Sequence, residues 1–175
     1  FNQLAPNYLN NFIYFLTILF FYLFPFYLSQ TEKINFKILF KENLLIKFII
    51  ILLILMANFF YLPFDQSLGG GVIYKLSLIL NLNIIVNIVS IMSIFLVFYY
   101  FKNFIQFFPL IILFFSYPFI FIYQKYFDPL LLILMLTLVN SNKLTENIKF
   151  NNLNLKIIYA YFLSFLIYSN FYYNF

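Results

Sequence analysis

Lys75 and Lys156 have the strongest claim to chemistry in this chain. Each stands within about one turn of the start of a long apolar run, and an ionisable group inside a membrane span is a functional candidate by default. A lysine so placed can hold or pass a proton. It can equally lay its methylenes along the apolar surface and carry its ammonium to the interface, which requires no function. A second set is Asn83, Asn87 and Ser90, which recur at i, i+4 and i+7 and so share one face of a helix. Polar groups in lipid need partners, so this face should point into a helix interface. Two roles fit it, interhelical glue or the lining of a hydrated proton path; asparagine neither gains nor loses a proton, which favours glue.

The rest of the inventory closes most other chemistries. There is no histidine and no cysteine, so disulfides, haem ligation, thiolate clusters and the usual zinc sites cannot be built from this chain. No cofactor and no catalytic residue of its own is expected. All ten basic residues are lysines, set against five acids; they are spread among apolar runs and form no basic face, so nucleic acid is excluded as a partner. The run Gly69-Gly70-Gly71 lacks the lysine-serine continuation of a phosphate loop. With Pro63 and Asp65 it reads as a flexible turn at a membrane surface.

Hydrophobic residues make up 65% of the chain, aromatic residues 26% and charged residues 9%. A soluble domain is typically about half apolar, so the composition predicts an integral membrane protein, one transmembrane domain over 1–175 with lipids as neighbours. Phe, Tyr, Ile, Asn and Lys, abundant here, all have AT-rich codons. Drift in an AT-rich organellar genome accounts for that bias and weakens any argument resting on a single Phe, Asn or Lys. The beginning of the chain has neither a charged region with a small-residue cleavage site nor a basic amphipathic presequence, which fits synthesis inside the organelle.

The elements that must position the candidates are helices. A span needs about 20 apolar residues, and the apolar runs predict an all-α polytopic bundle of about six spans, over 7–29, 44–62, 72–98, 104–123, 127–142 and 155–171. Pro109 and Pro118 should bend the fourth. The core of the fifth, Pro129 to Val139, is short, and charge decides its course. With six spans, Lys33, Lys37, Lys41, Lys47, Lys102, Lys143, Lys149 and Lys156 lie on one side, with Lys125 and Lys75 near the other. That is the asymmetry of the positive-inside rule. Both termini then face the lysine-poor side.

The stretch from Phe127 to Phe162 is the one place where apolar runs are parted by a true lysine-bearing loop. Asp128, Leu130, Leu131, Thr145, Glu146, Leu155 and Lys156 follow one another there. This order resembles chain 2 of the proton-translocating NADH-quinone oxidoreductases, in which an acid opens a leucine-rich span, a basic loop with Ser/Thr-Glu follows, and Leu-Lys-aromatic opens the next span. Val72 to Leu80, VIYKLSLIL, looks like that family's third span. The resemblance covers the family's first six or so spans and implies the first part of a split antiporter-like subunit. It would lie in the mitochondrial inner membrane with termini toward the intermembrane space, serving the respiratory chain that reduces ubiquinone. Its partners would be other membrane subunits, including a chain that supplies the remainder. One departure bears on mechanism: the family's intramembrane glutamate would fall near Thr137, and no acid lies between Asp128 and Glu146. Two other readings stay open, an accessory membrane subunit of ATP synthase or cytochrome oxidase, and another hydrophobic chain of the same dehydrogenase such as chain 6.

Overall fold

A computed structural model of the chain describes residues 8–29, 49, 52–53, 56, 69–100, 104–115, 123–125, 127–128, 130–131, 133 and 152–174. Among them the fold is all-α, with five helices: α1 (Tyr8–Leu28), α2 (Gly71–Ile79), α3 (Ile84–Tyr100), α4 (Phe104–Phe115) and α5 (Asn152–Asn174). The expected spans 44–62 and 127–142 fall mostly outside the described residues, as does Thr137.

The helix that organises the bundle is α1. Its 21 residues make about 31 Å at 1.5 Å per residue, and it alone among the described helices is long and apolar enough to cross a membrane. From Ile13 to Leu23 nearly every side chain is buried. A helix that is apolar all round must be covered all round, and α2, α3, α4 and α5 supply the cover. Pro25 lies inside the helix, where it offers no N–H to the Phe21 carbonyl one turn back. The last turn closes with Ser29 N–H donating to the Pro25 carbonyl at 3.0 Å and the Ser29 hydroxyl to the Phe26 carbonyl at 2.8 Å.

Aromatic contacts fix how the other helices lie along α1. Phe21 meets Tyr161 at 5.4 Å and Phe165 at 4.8 Å between ring centroids, while Phe24 meets Tyr161 at 6.1 Å. Moving up α1 thus moves down α5, so these two helices are antiparallel. Phe114 of α4 sits 5.6 Å from Phe12 and 5.4 Å from Phe15. Phe127 lies 5.4 Å from Phe15 and is fully buried with Leu131. Tilted and edge-on pairs of this kind add about 0.5–1.5 kcal/mol each beyond their area.

The run 72–98, expected as one span, is two helices that fold back on each other. Tyr74 packs on Tyr14 with centroids 4.8 Å apart, and the Ser90 hydroxyl is 3.4 Å from the Ile13 carbonyl oxygen. An unbroken helix would carry Ser90 about 24 Å beyond Tyr74, yet the two touch adjacent residues of α1. The reversal lies at Leu80–Asn83. There Asn81 N–H donates to the Leu78 carbonyl at 3.2 Å and Leu82 N–H to the Ser77 carbonyl at 2.9 Å, with Asn81 at φ 52. This is the Schellman arrangement, in which a left-handed residue ends the helix and returns its last carbonyls to backbone donors. Asparagine is the non-glycine residue best suited to that conformation. Asn83 then occupies the position before α3, where asparagine is again favoured.

Directions follow. Gly71 approaches Ile18 and Tyr74 meets Tyr14, so α2 runs antiparallel to α1, from its middle toward its beginning. After the turn, α3 starts near that end, passes Ile13 at Ser90 and runs parallel to α1.

Candidate functional site

Part of the buried polar set lies on a seam where α2 and α3 meet the first half of α1, while Ser29 and Asn154 are buried elsewhere. Thr17, Ser77, Ser90 and Ser93 are buried there. Three of the four follow a common pattern for hydroxyls on helices, donating to a carbonyl one turn back: Thr17 to Tyr14 at 2.8 Å, Ser77 to Tyr74 at 2.7 Å and Ser90 to Val86 at 2.7 Å. Ser90 also reaches across to the Ile13 carbonyl at 3.4 Å. Its single proton is shared between two acceptors, and the nearer takes the larger part. Small residues on a helix face let the neighbouring backbone approach closely, which is how a side chain of α3 meets the main chain of α1.

Of the expected polar face, the structure buries one member on the seam and half-buries a second. Ser90 is wholly buried, and Asn87 is half-buried with its Oδ1 inaccessible and without a hydrogen-bond partner among the described residues. Asn83 is exposed in the turn; the i, i+4, i+7 spacing fails for it because the helix starts only at Ile84. Ser93 takes its place. It is fully buried, and its Oγ has no hydrogen-bond partner among the described residues. Its signal in the sequence was the three-residue repeat Asn87, Ser90, Ser93.

The triple glycine is a buried helix start, which corrects the expectation of a flexible surface turn. Gly69, Gly70 and Gly71 have φ of 91, 79 and 76, a region that costs other residues roughly 1–2 kcal/mol, and Gly70 and Gly71 are buried. A Cβ on Gly70 would run into the Tyr74 ring, and one on Gly71 would lie 3.0 Å from Ile18 Cγ1 and 3.3 Å from Gln124 Oε1. The chain therefore enters α2 pressed against the middle of α1. Gln124, which the sequence did not single out, caps this start: its Oε1 accepts from Val72 N–H at 3.1 Å, one of the donors that a helix start leaves open. Its Nε2 and the Oδ1 of Asp128 are buried without hydrogen-bond partners among the described residues.

The two lysines do not come together. Lys75 is half-buried on α2, beside the Tyr14–Tyr74 contact. Lys156 is exposed on α5, beyond Tyr161, which already meets Phe24 near the other end of α1. The separation along α1 is roughly 20 Å, so no relay joins them directly. The third described lysine, Lys125, holds its Nζ 5.4 Å from the centre of the Tyr123 ring, within cation–π reach.

The seam's hydroxyls and amides can order water and hold helices in register. It offers no carboxylate–amine pair of the kind that stores and releases a proton. No family model, curated protein or solved structure matches this chain.

Proposed function

We propose that this chain is a multi-pass subunit in the membrane arm of a proton-translocating NADH-quinone oxidoreductase of the mitochondrial inner membrane, contributing helices to an antiporter-like subunit completed by another chain. The observation that carries this reading is the order Asp128, Leu130, Leu131, Thr145, Glu146, Leu155, Lys156, with both described flanks of that stretch seated on α1. Phe127 and Leu131 are fully buried, Phe127 against Phe15, and Tyr161 and Phe162 pack on Phe21.

Helix direction fits the proposed layout, in which α3, 17 residues long, takes the third place and is preceded by the half-length α2. First and third crossings should be parallel and the sixth antiparallel to both, as α1, α3 and α5 are. Exposed apolar stripes support a membrane setting: Phe108, Ile111, Ile112 and Phe115 on α4, and Tyr159, Leu163, Leu166 and Ile167 on α5. Such contiguous surface is what lipid or neighbouring membrane chains cover.

In this role the chain is scaffold. The family's paired lysine and glutamate cannot be assembled from it, because burying one charge without its partner is costly and the acid near Thr137 is missing. The test is a native gel of solubilised membranes. The chain should migrate with NADH-oxidising activity and with a polypeptide that supplies the later spans. Migration with ATP synthase or cytochrome oxidase would establish the accessory-subunit reading instead.

A further inference from the structure

We propose that the outer face of α5 binds an anionic phospholipid, with its phosphate at Lys156 and one acyl tail laid along the helix below. The site requires the membrane setting proposed above, but no particular complex.

The face is located by the side of α5 that packs. Phe165 and Tyr161 turn toward α1, where they meet Phe21 at 4.8 and 5.4 Å between ring centroids. Lys156 precedes Phe165 by about two and a half turns, so it stands on the side facing away from the bundle. Exposure agrees. Lys156, Tyr159, Ala160, Leu163, Ser164 and Ile167 are all exposed, and they recur at the three- and four-residue steps of a single helix face.

One end of this face is charged and the rest is apolar. Lys156 makes no hydrogen bond or ion pair among the described residues, and α5 contains no acid. A phospholipid carries the complementary pattern, an anionic phosphate joined to apolar tails. A lysine near a helix end carries its ammonium to the interface, where the phosphates lie, and anionic headgroups attract it. From Lys156 to Ser164 the helix rises about 12 Å, which fits within the roughly 15 Å apolar depth of one leaflet. The small residues Ala160 and Ser164 follow Lys156 along one row, beside the higher row of Tyr159, Leu163 and Ile167. A tail lying there meets no polar group in need of a partner, because the Ser164 hydroxyl donates to the Tyr161 carbonyl at 2.7 Å.

A helix of another subunit fits less well. It would have to bring an acid to Lys156 at the level where anionic lipid already offers one. The exposed stripe of α4 gives the contrast: Phe108, Ile111, Ile112 and Phe115 are apolar too, but α4 carries no charge and should take any lipid alike.

The experiment uses the native assembly that contains the chain, reconstituted in phosphatidylcholine vesicles. These hold a trace of phosphatidylglycerol or of phosphatidylcholine, each with the same photoreactive group in its tail. After irradiation, labelled peptides of α4 and α5 are counted by mass spectrometry. Phosphatidylglycerol should label α5 about fivefold more than phosphatidylcholine does, and α4 equally. Lys156→Gln should abolish the preference and Lys156→Arg should keep it. Equal labelling of α5 by the two lipids overturns the proposal, as does a preference that survives Lys156→Gln. Label on α4 with none on α5 also overturns it and shows that a protein chain covers this face; no label on any helix would defeat the membrane setting itself. Should the variants fail to assemble, the comparison of α5 with α4 in the unmodified assembly decides the matter.

Discussion

The Ser90 hydroxyl lies 3.4 Å from the Ile13 carbonyl oxygen, joining α3 to the backbone of α1 across 77 positions of sequence. At 3.4 Å it is a weak bond, and its value lies in the close approach that a serine permits. Ser90→Ala should therefore cost little, about 0.5–1 kcal/mol. Ser90→Leu should cost about 1–3 kcal/mol, because added methylenes have no room in a packed seam. Denaturant unfolding of the two variants in detergent, compared with the unchanged chain, measures the difference; equal losses would mean that the helices are not in close contact there.

Gly70 is the position where the start of α2 tolerates least change. Gly70→Ala meets two penalties, a left-handed backbone and the Tyr74 ring, and should destabilise by about 1–3 kcal/mol. Removing the ring in a Gly70→Ala/Tyr74→Ala double variant should recover the steric part but not the backbone part, so the two losses will fall short of additive. Full additivity in thermal unfolding would show that residue 70 does not press on Tyr74.

The turn between α2 and α3 makes an opposite prediction. Asn81 is held at φ 52, which glycine adopts without penalty. Asn81→Gly should be neutral or slightly stabilising, and Asn81→Val should lose about 1–2 kcal/mol. If valine were tolerated as well as glycine, residues 72–98 would be a continuous helix after all.

Gln124 can be tested through its one long-range bond. Gln124→Glu keeps an oxygen for Val72 N–H, whereas Gln124→Leu leaves a partly buried donor unpaired, a loss of about 1–3 kcal/mol. Hydrogen exchange at Val72 should speed up in the leucine variant and stay slow in the glutamate variant. Unchanged exchange in both would show that another group caps α2.

These positions show how far the sequence could be read. The helices at Tyr8–Leu28 and Asn152–Asn174 were legible because long apolar runs, interrupted only by Pro25 near the end of the first, leave few alternatives to a helix. The break at Asn81 was not, since an apolar run of that length reads as one span. Its signal was local, an Asn-Leu-Asn whose residues suit the end of one helix and the start of the next. Gly69 to Gly71 were misread for a different reason. Glycine permits either a loose turn or a close approach, and only the facing residues, Ile18 and Tyr74, decide which. Asn87 and Ser90 were found from periodicity, and Ser93 continues their three-residue step; Gln124 acquires meaning only through its bond to Val72, distant in sequence. That Lys75 and Lys156 lie toward opposite ends of α1 depends on helix packing, which neither lysine's neighbours reveal.

The central claim is that this chain lends helices, and no proton-carrying charge, to the membrane arm of an NADH-quinone oxidoreductase. An experimental map of that arm from the source membrane, resolved well enough to place side chains and water around Thr137, tests it most directly. The chain should be found in the arm, with Phe, Leu and Ile side chains packed dry about Thr137. Absence of the chain from the arm would contradict the claim. So would a neighbouring chain's carboxylate within hydrogen-bonding reach of Thr137 and joined through ordered water to a buried lysine.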